Sequence, residues 1–387
     1  MTNPAIRAAT IRRRPLILFV LGMGRSGTSA LTRVLSLCGA ALPNELLGAN
    51  DGNPLGHWEP QSAIDLNDDI LSQHGATWYD PSLRLQGEVI IGEEHRAAHL
   101  NGIEAFLRAL PEAPLLVIKE PRITALASLW FEAARQAGFS IAVTIPVRHP
   151  GEVVASLAAR DQVSPQLSSA LWLKYNMLAE RQSRELPRTF VEYPALLRDW
   201  RAEVARIAAA LAIDLSTRNE AEIDDFLRQD LRRQRQEGIS EIFGTTWVSQ
   251  VYTALCAAAR GELLDASLMD EVFESYRASE RGFRIALEDF RTRFYVVSDT
   301  RKPNVTKLIQ AVAGRDSEVL RSCLRSQWYR EHNPDLTAAR VDPYEHWVVH
   351  GSNEGRLPCA DPISLLERLL QERATRPATP ARAGQAG

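Results

Sequence analysis

The chain has 387 residues, 45% of them hydrophobic and 24% charged, with a formal net charge of -3. That length predicts two or three domains with a sizeable core, and it excludes a stapled mini-protein or wholesale disorder. Acids and bases are too evenly balanced for a general nucleic-acid or anionic-membrane binder, so any anion site must be local.

Arg12, Arg13 and Arg14 precede an apolar run, as in a secretory signal, but the run is short and opens into a glycine-containing loop. No stretch approaches the ~20 apolar residues of a membrane span, so a cytoplasmic protein with an N-terminal extension over residues 1–15 is expected. The cysteines at 38, 256, 323 and 359 form no C-x-x-C pair and read as reduced and structural. Lysine occurs only at 119, 174, 302 and 307, which makes each one worth inspecting.

Leu16 to Leu21 is a short apolar run of the kind a buried parallel strand shows. It leads into Gly22-Met-Gly-Arg-Ser-Gly-Thr-Ser29, after which Leu31, Val34, Leu35 and Cys38 fall at helical spacing, with Thr28 as the start and Gly39 as the stop. Further strands are predicted at Leu115 to Ile118, Ile141 to Val147 and Thr189 to Glu192, with helical patterns between them. The fold class expected is α/β: a P-loop-like, doubly wound parallel sheet with helices on both faces, whose ligands sit outside the carboxyl ends of its strands. Helical elaborations follow, so one domain is placed at 16–300. A small helical module is expected at 317–366 and a disordered tail at 372–387. The charged run Glu222 to Glu237 reads as a solvated helix face.

A strand, a glycine loop and a helix start together place unpaired N–H groups and a positive dipole end at one point, a cradle for a phosphate. The loop carries glycines at 22 and 27 and a hydroxyl at Ser29, as a nucleoside-triphosphate loop does, yet Thr28 stands where that loop has its lysine. It therefore suits a smaller 5′ anion, the alternative being a turn without ligand. After the third strand, Arg148 lies at the strand end and Ser156 eight residues on, and the two can converge on one phosphate through a charged fork and a hydroxyl.

These motifs, in this order on these elements, resemble the sulfotransferase family that uses 3′-phosphoadenosine 5′-phosphosulfate, over residues 16 to about 290. The resemblance implies that Arg25, Ser26, Gly27, Thr28 and Ser29 hold the 5′-phosphosulfate, that Arg148 and Ser156 hold the 3′-phosphate, and that Tyr193 helps hold the nucleotide. It implies transfer of a sulfuryl group to a hydroxyl or amine, with adenosine 3′,5′-bisphosphate as the other product. Loose transfer of this kind, by analogy with phosphoryl transfer, asks the protein to align the reactants and neutralise charge.

Lys119, in Val117-Ile-Lys-Glu-Pro-Arg122, resembles the family's Lys-Asp-Pro, with Glu120 replacing the aspartate. It is expected to meet the bridging or a sulfonate oxygen, the alternative being a solvated lysine or one simply paired to a glutamate. Arg122 either pairs locally or touches the acceptor. Arg25 is given a catalytic as well as a binding role. The general base expected is Glu59 in Gly56-His-Trp-Glu59, similar to a Gly-aromatic-aromatic-Glu segment of related bacterial sulfotransferases. Glu45, whose distance from the loop resembles that of the catalytic glutamate in tyrosylprotein and heparan sulfotransferases, and His57 are the rivals. Trp58 is a candidate platform for a sugar ring, the commoner alternative being a tryptophan that is merely packed.

Near the C-terminus, Trp328-Tyr-Arg-Glu-His-Asn-Pro-Asp335, Asp342-Pro-Tyr-Glu-His-Trp347 and Gly351-Ser-Asn-Glu-Gly-Arg-Leu-Pro358 resemble a module appended to bacterial surface-glycan proteins. The association suggests a saccharide acceptor and glycan-assembly partners. His332, His346, His350 and Asp335 lack a dense metal motif and read as structural, and no metal site is assigned. Two other readings stay open: a P-loop nucleotide kinase, and a non-catalytic nucleotide-binding assembly protein.

Overall fold

The computed structural model describes residues 14–49, 53, 55–89, 91–217, 219–227, 238–290, 305–313, 317–324, 327–333, 336, 341–352, 354, 356–359 and 361–375. All but the end of the 1–15 extension, the 228–237 part of the charged run, Asp335 and the tail beyond residue 375 lie outside them. Contacts divide the chain into two compact units, Met1–Ile285 and Ala286–Gly387.

The first unit is α/β. Strands β1 (Leu16–Val20), β2 (Leu115–Ile118), β3 (Ser140–Val147) and β4 (Arg188–Glu192) form one sheet in the order β2-β1-β3-β4. Every pairing is parallel, with Leu16 opposite both Leu115 and Ser140. The four apolar runs of the sequence are thus the four strands, β3 and β4 each starting one residue earlier than expected. Alternation along β1 sends Ile17 and Phe19 into one core and Leu18 and Val20 into another.

The first core takes its helical partners from α2 (Gln61–Gln73), α3 (Glu93–Arg108), α4 (Ala127–Gln136), α6 (Pro165–Gln182) and α10 (Trp247–Ala259). The second takes them from α1 (Thr28–Leu37), α7 (Tyr193–Arg198), α8 (Trp200–Leu211) and α9 (Glu220–Phe226). Helices on both faces explain why the strands read as continuous apolar runs: neither side of the sheet meets water. The first core also takes Val153 and Leu157 from α5 (Pro150–Asp161), which follows β3 directly, and Met269 and Tyr276 from the helix Ala266–Phe290.

The chain leaves β1 toward β2 on one side and later crosses to β3 and β4 on the other. The order therefore reverses between β1 and β3, which opens a crevice above their carboxyl ends. Each strand exit delivers one residue there: Leu21 leads into the glycine loop, Lys119 follows β2, Arg148 follows β3 and Tyr193 follows β4.

The second unit has its own core, in which Leu320, Tyr329, Trp347, Leu365 and Leu369 are buried. Its helices include Val305–Ala313, Glu318–Leu324, Gln327–Glu331 and Pro362–Thr375. His332 stacks on Trp328 with ring centroids 4.0 Å apart, and His346 Nδ1 lies 3.2 Å from the Tyr329 hydroxyl. Among the described residues, no three His, Cys, Asp or Glu side chains group as metal ligands would, and no helix is long and apolar enough to cross a membrane.

Candidate active site

A cleft of about 540 Å³ opens at the strand exits. The glycine loop forms its floor. Arg25 and Gly27 both take left-handed φ, 67° and 89°, which curls the loop before α1 begins at Thr28 without a side-chain cap. The N–H groups of that first turn are thus left for a ligand or water. Gly27 has no alternative here: a Cβ at this position would overlap the Tyr193 ring. Ser26 is completely buried and its hydroxyl has no hydrogen-bond partner among the described residues, an orphan that a bound oxyanion or water would satisfy.

Arg25, Ser156, Arg148 and Tyr193 converge from separate elements. Arg25 Nε donates to Ser156 Oγ at 2.9 Å, and Arg148 NH1 donates to the Arg25 carbonyl at 3.0 Å. Arg148 Nε is held by the buried Glu152 at 2.8 Å, and its guanidinium lies 4.9 Å from the Tyr193 ring centroid. The Trp172 indole donates to the Arg148 carbonyl at 3.1 Å and fixes the strand exit. Burial, with repulsion from Arg160 and Arg148, pulls the Arg25 guanidinium down to about 10. Arg25 thus stands close to two further guanidinium groups, an arrangement that suits a multiply charged anion.

Further along the cleft, Lys119 is 2% exposed and its ammonium forms an ion pair with Glu59 and donates to the His57 carbonyl at 2.9 Å. Glu59 is placed by a short antiparallel bridge, with Leu47 N donating to the Glu59 carbonyl at 2.7 Å and Gln61 N to that of Glu45 at 3.0 Å. Left-handed backbone at Gly56 and Trp58 turns successive side chains opposite ways. Glu59 and His57 line the cleft, whereas Trp58 lies under the Arg33 guanidinium, 4.5 Å from it, and Glu45 is exposed outside the lining. Burial lowers the His57 pKa, Lys119 acting in the same direction and Glu59 against it, so the ring is neutral near pH 7. Thr28 and Ser29 also line the cleft, and Ser29 Oγ donates to the His57 carbonyl at 3.1 Å, tying the anion loop to the Glu59 segment.

The sequence-derived residues thus fall into two adjacent groups: Arg25, Ser26, Gly27, Thr28, Ser29, Arg148, Ser156 and Tyr193 around the loop, and Lys119, Glu59 and His57 beside it. Lys119 is a glutamate-paired lysine, its partner being Glu59, and it also lines the cleft. Asp68, Trp78, Tyr79, Arg160 and Phe226 line the cleft as well and were not anticipated. Trp78 and Tyr79 sit in an irregular segment, where no periodicity marks which side chains face inward.

No protein-family model matches the chain, and no curated protein does. Among solved structures it is similar to the sulfotransferase domain from the Synechococcus PCC 7002 olefin synthase, at 19% identity and a TM-score of 0.34, over 69% of this chain and 96% of that one. It is also similar to the sulfotransferase domain from the curacin biosynthetic pathway, at 14% identity and a TM-score of 0.35, over 65% and 99%. The sulfotransferase STF1 from Mycobacterium tuberculosis H37Rv gives 15% identity and a TM-score of 0.28, over 67% and 76%. The α/β architecture follows from the sheet's own parallel pairing.

Proposed function

We propose that this protein is a sulfotransferase that moves a sulfuryl group from 3′-phosphoadenosine 5′-phosphosulfate to a hydroxyl or amine, a saccharide hydroxyl being the favoured acceptor. The observation that carries the reading is the convergence of Arg25, Ser156, Arg148 and Tyr193 on an uncapped helix start, with Lys119 and Glu59 next along the same cleft. The orphaned Ser26 hydroxyl and the Cβ-free surface at Gly27 fit close approach of a phosphate-type group.

In this reading the donor supplies the sulfuryl group and the leaving bisphosphate. Arg25, with the N–H groups of Thr28 and Ser29, holds the 5′ end, while Arg148 and Ser156 take the 3′-phosphate beside Tyr193. Glu59 accepts the proton of the acceptor hydroxyl as the acceptor oxygen bonds to sulfur and the sulfur–oxygen bond to phosphate breaks. Lys119 neutralises the oxygen on which that electron pair comes to rest.

Thr28 argues against a triphosphate-dependent kinase, because a kinase loop needs a cation at that position for the β- and γ-phosphates. Calorimetric titration with adenosine 3′,5′-bisphosphate, compared with ATP plus Mg²⁺, tests the reading without knowledge of the acceptor. Selective binding of the bisphosphate is expected. Preference for ATP would favour the kinase, and donor binding with no transfer across a broad acceptor panel would favour a non-catalytic assembly protein.

A further inference from the structure

The outer wall of the cleft, away from the anion loop, is built around Arg122. Its Nε donates to Asp68 Oδ1 and its NH1 to Glu120 Oε1, both at 2.6 Å, so two of its three nitrogens are committed. NH2 has no partner among the described residues, and Asp68, half exposed at 50%, keeps Oδ2 uncommitted. Glu120 is completely buried, and its second oxygen accepts from Asn67 Nδ2 at 2.7 Å, while Asn67 Oδ1 accepts from the Trp130 indole at 2.8 Å. That chain of bonds fixes Asn67 and Glu120 in one orientation and holds the guanidinium at the cleft wall.

Trp78 stands beside it, its ring centroid 5.9 Å from the Arg122 guanidinium. The segment that carries Trp78 is clamped by four side chains from beneath. The Tyr175 hydroxyl donates to the Trp78 carbonyl at 3.1 Å, Lys174 to the Asp80 carbonyl at 2.6 Å and Tyr276 to the Pro81 carbonyl at 2.7 Å, while Glu280 accepts from Leu83 N at 3.1 Å. Lys174 is 1% exposed, and burying an ammonium is costly. Such a clamp under an irregular segment whose own aromatic side chains reach the cleft makes a rigid wall, as a recognition surface requires.

We propose that Trp78, Arg122 and Asp68 form the acceptor subsite, and that it takes an uncharged pyranose-type ring carrying two adjacent hydroxyls. One hydroxyl oxygen accepts from Arg122 NH2, the neighbouring hydroxyl donates to Asp68 Oδ2, and the ring's C–H face lies against Trp78. A vicinal diol offers this donor–acceptor duality, while the paired charges of Asp68 and Arg122 leave no net attraction for an acidic sugar. The term "acceptor" rests on the sulfotransferase reading; the recognition of a ring diol does not.

The test is saturation-transfer NMR with methyl α-glucopyranoside, methyl α-mannopyranoside, methyl α-galactopyranoside and methyl glucuronide, on the full chain and on Asp68→Asn and Trp78→Ala. At least one neutral glycoside should bind, and each variant should weaken it by about fivefold or more. Asp68→Asn should leave calorimetric affinity for adenosine 3′,5′-bisphosphate unchanged, which also certifies its fold. Binding of the glucuronide alone, of no glycoside, or of a glycoside with equal strength in the wild type and in Asp68→Asn would overturn the proposal. Glycoside binding lost in the variants of a protein that does not bind the bisphosphate would uphold the subsite and sink the sulfotransferase reading instead.

Discussion

Lys119 and Glu59 form one buried ion pair at the centre of the cleft, and the same ammonium is anchored on the His57 carbonyl. Glu59→Gln keeps an amide oxygen for Lys119 but cannot take a proton. Turnover should fall by roughly 10²- to 10⁴-fold in a transfer assay, with bisphosphate affinity preserved. Near-wild-type turnover in the purified variant would remove Glu59 from the chemistry and turn attention to His57. Glu59→Ala, by contrast, strands a buried ammonium and should also cost about 3–5 kcal/mol of stability.

Arg25 and Arg148 should separate binding from stability. Arg148→Ala takes an ion-pair partner from the buried Glu152 carboxylate, so denaturant unfolding should show a clear loss of stability along with weaker bisphosphate binding. Arg25 is hydrogen-bonded to Ser156 and repelled by Arg148 and Arg160. Its removal should weaken the bisphosphate by about tenfold or more, since a charged hydrogen bond contributes about 1.5–3 kcal/mol, while stability changes by less than about 1 kcal/mol. Equal stability losses in the two variants would contradict the partner assignments.

Gly27→Ala meets two obstacles, left-handed backbone and the Tyr193 ring. The backbone alone accounts for roughly 1–2 kcal/mol, and the overlap adds to it. Thermal unfolding should therefore show Gly27→Ala/Tyr193→Ala less destabilised than the sum of the single variants, because one obstacle is gone. Strict additivity would mean that the ring and the loop do not touch.

Glu120 gives the pH dependence a sign. Burial pushes its carboxyl up to about 7, against the pull of Arg122 and Asn67 and with help from Glu59. Between the ordinary carboxylate range and that value the folded chain binds a proton that the unfolded chain has lost. This group's contribution to stability must therefore fall as pH rises from about 4.5 to 7, and then level off. Urea unfolding at pH 5 and pH 8 should show that decline in the wild type and a smaller one in Glu120→Gln. A contribution rising over that window would show the carboxyl to be depressed rather than raised.

Trp347 is completely buried in the core of the second unit, and the cleft is lined by residues of the first. Trp347→Ala should cost about 3–5 kcal/mol in that unit and lower the temperature at which that unit melts in calorimetry. Bisphosphate affinity should be unchanged; its loss would mean that the cleft depends on the second unit.

The sheet was legible because a strand covered on both faces must be apolar throughout, and four such runs stand out between helical patterns. The strand-exit residues were legible for the same reason: once Ile118 and Val147 end strands, Lys119 and Arg148 must emerge at the carboxyl edge. Trp78 and Arg160 were not, because their places depend on contacts between segments far apart in sequence, such as Lys174 reaching Asp80. Trp58 shows the opposite failure. The segment Gly56-His-Trp-Glu59 pointed to Glu59, yet its composition gave no sign that a left-handed φ of 58° would hand Trp58 to Arg33 and away from the cleft.

The all-parallel ladder with β1 inside it also sets the order in which the protein can be made. β1 is synthesised well before either of its partners, which begin only at Leu115 and Ser140. The glycine loop therefore has no walls until β3 has been synthesised, and the apolar β1 run must wait as an unpaired edge. Chains whose contacts close such long loops fold slowly and expose sticky surface meanwhile. The arrangement that gathers four strand exits at one crevice thereby makes assembly of that crevice a late event.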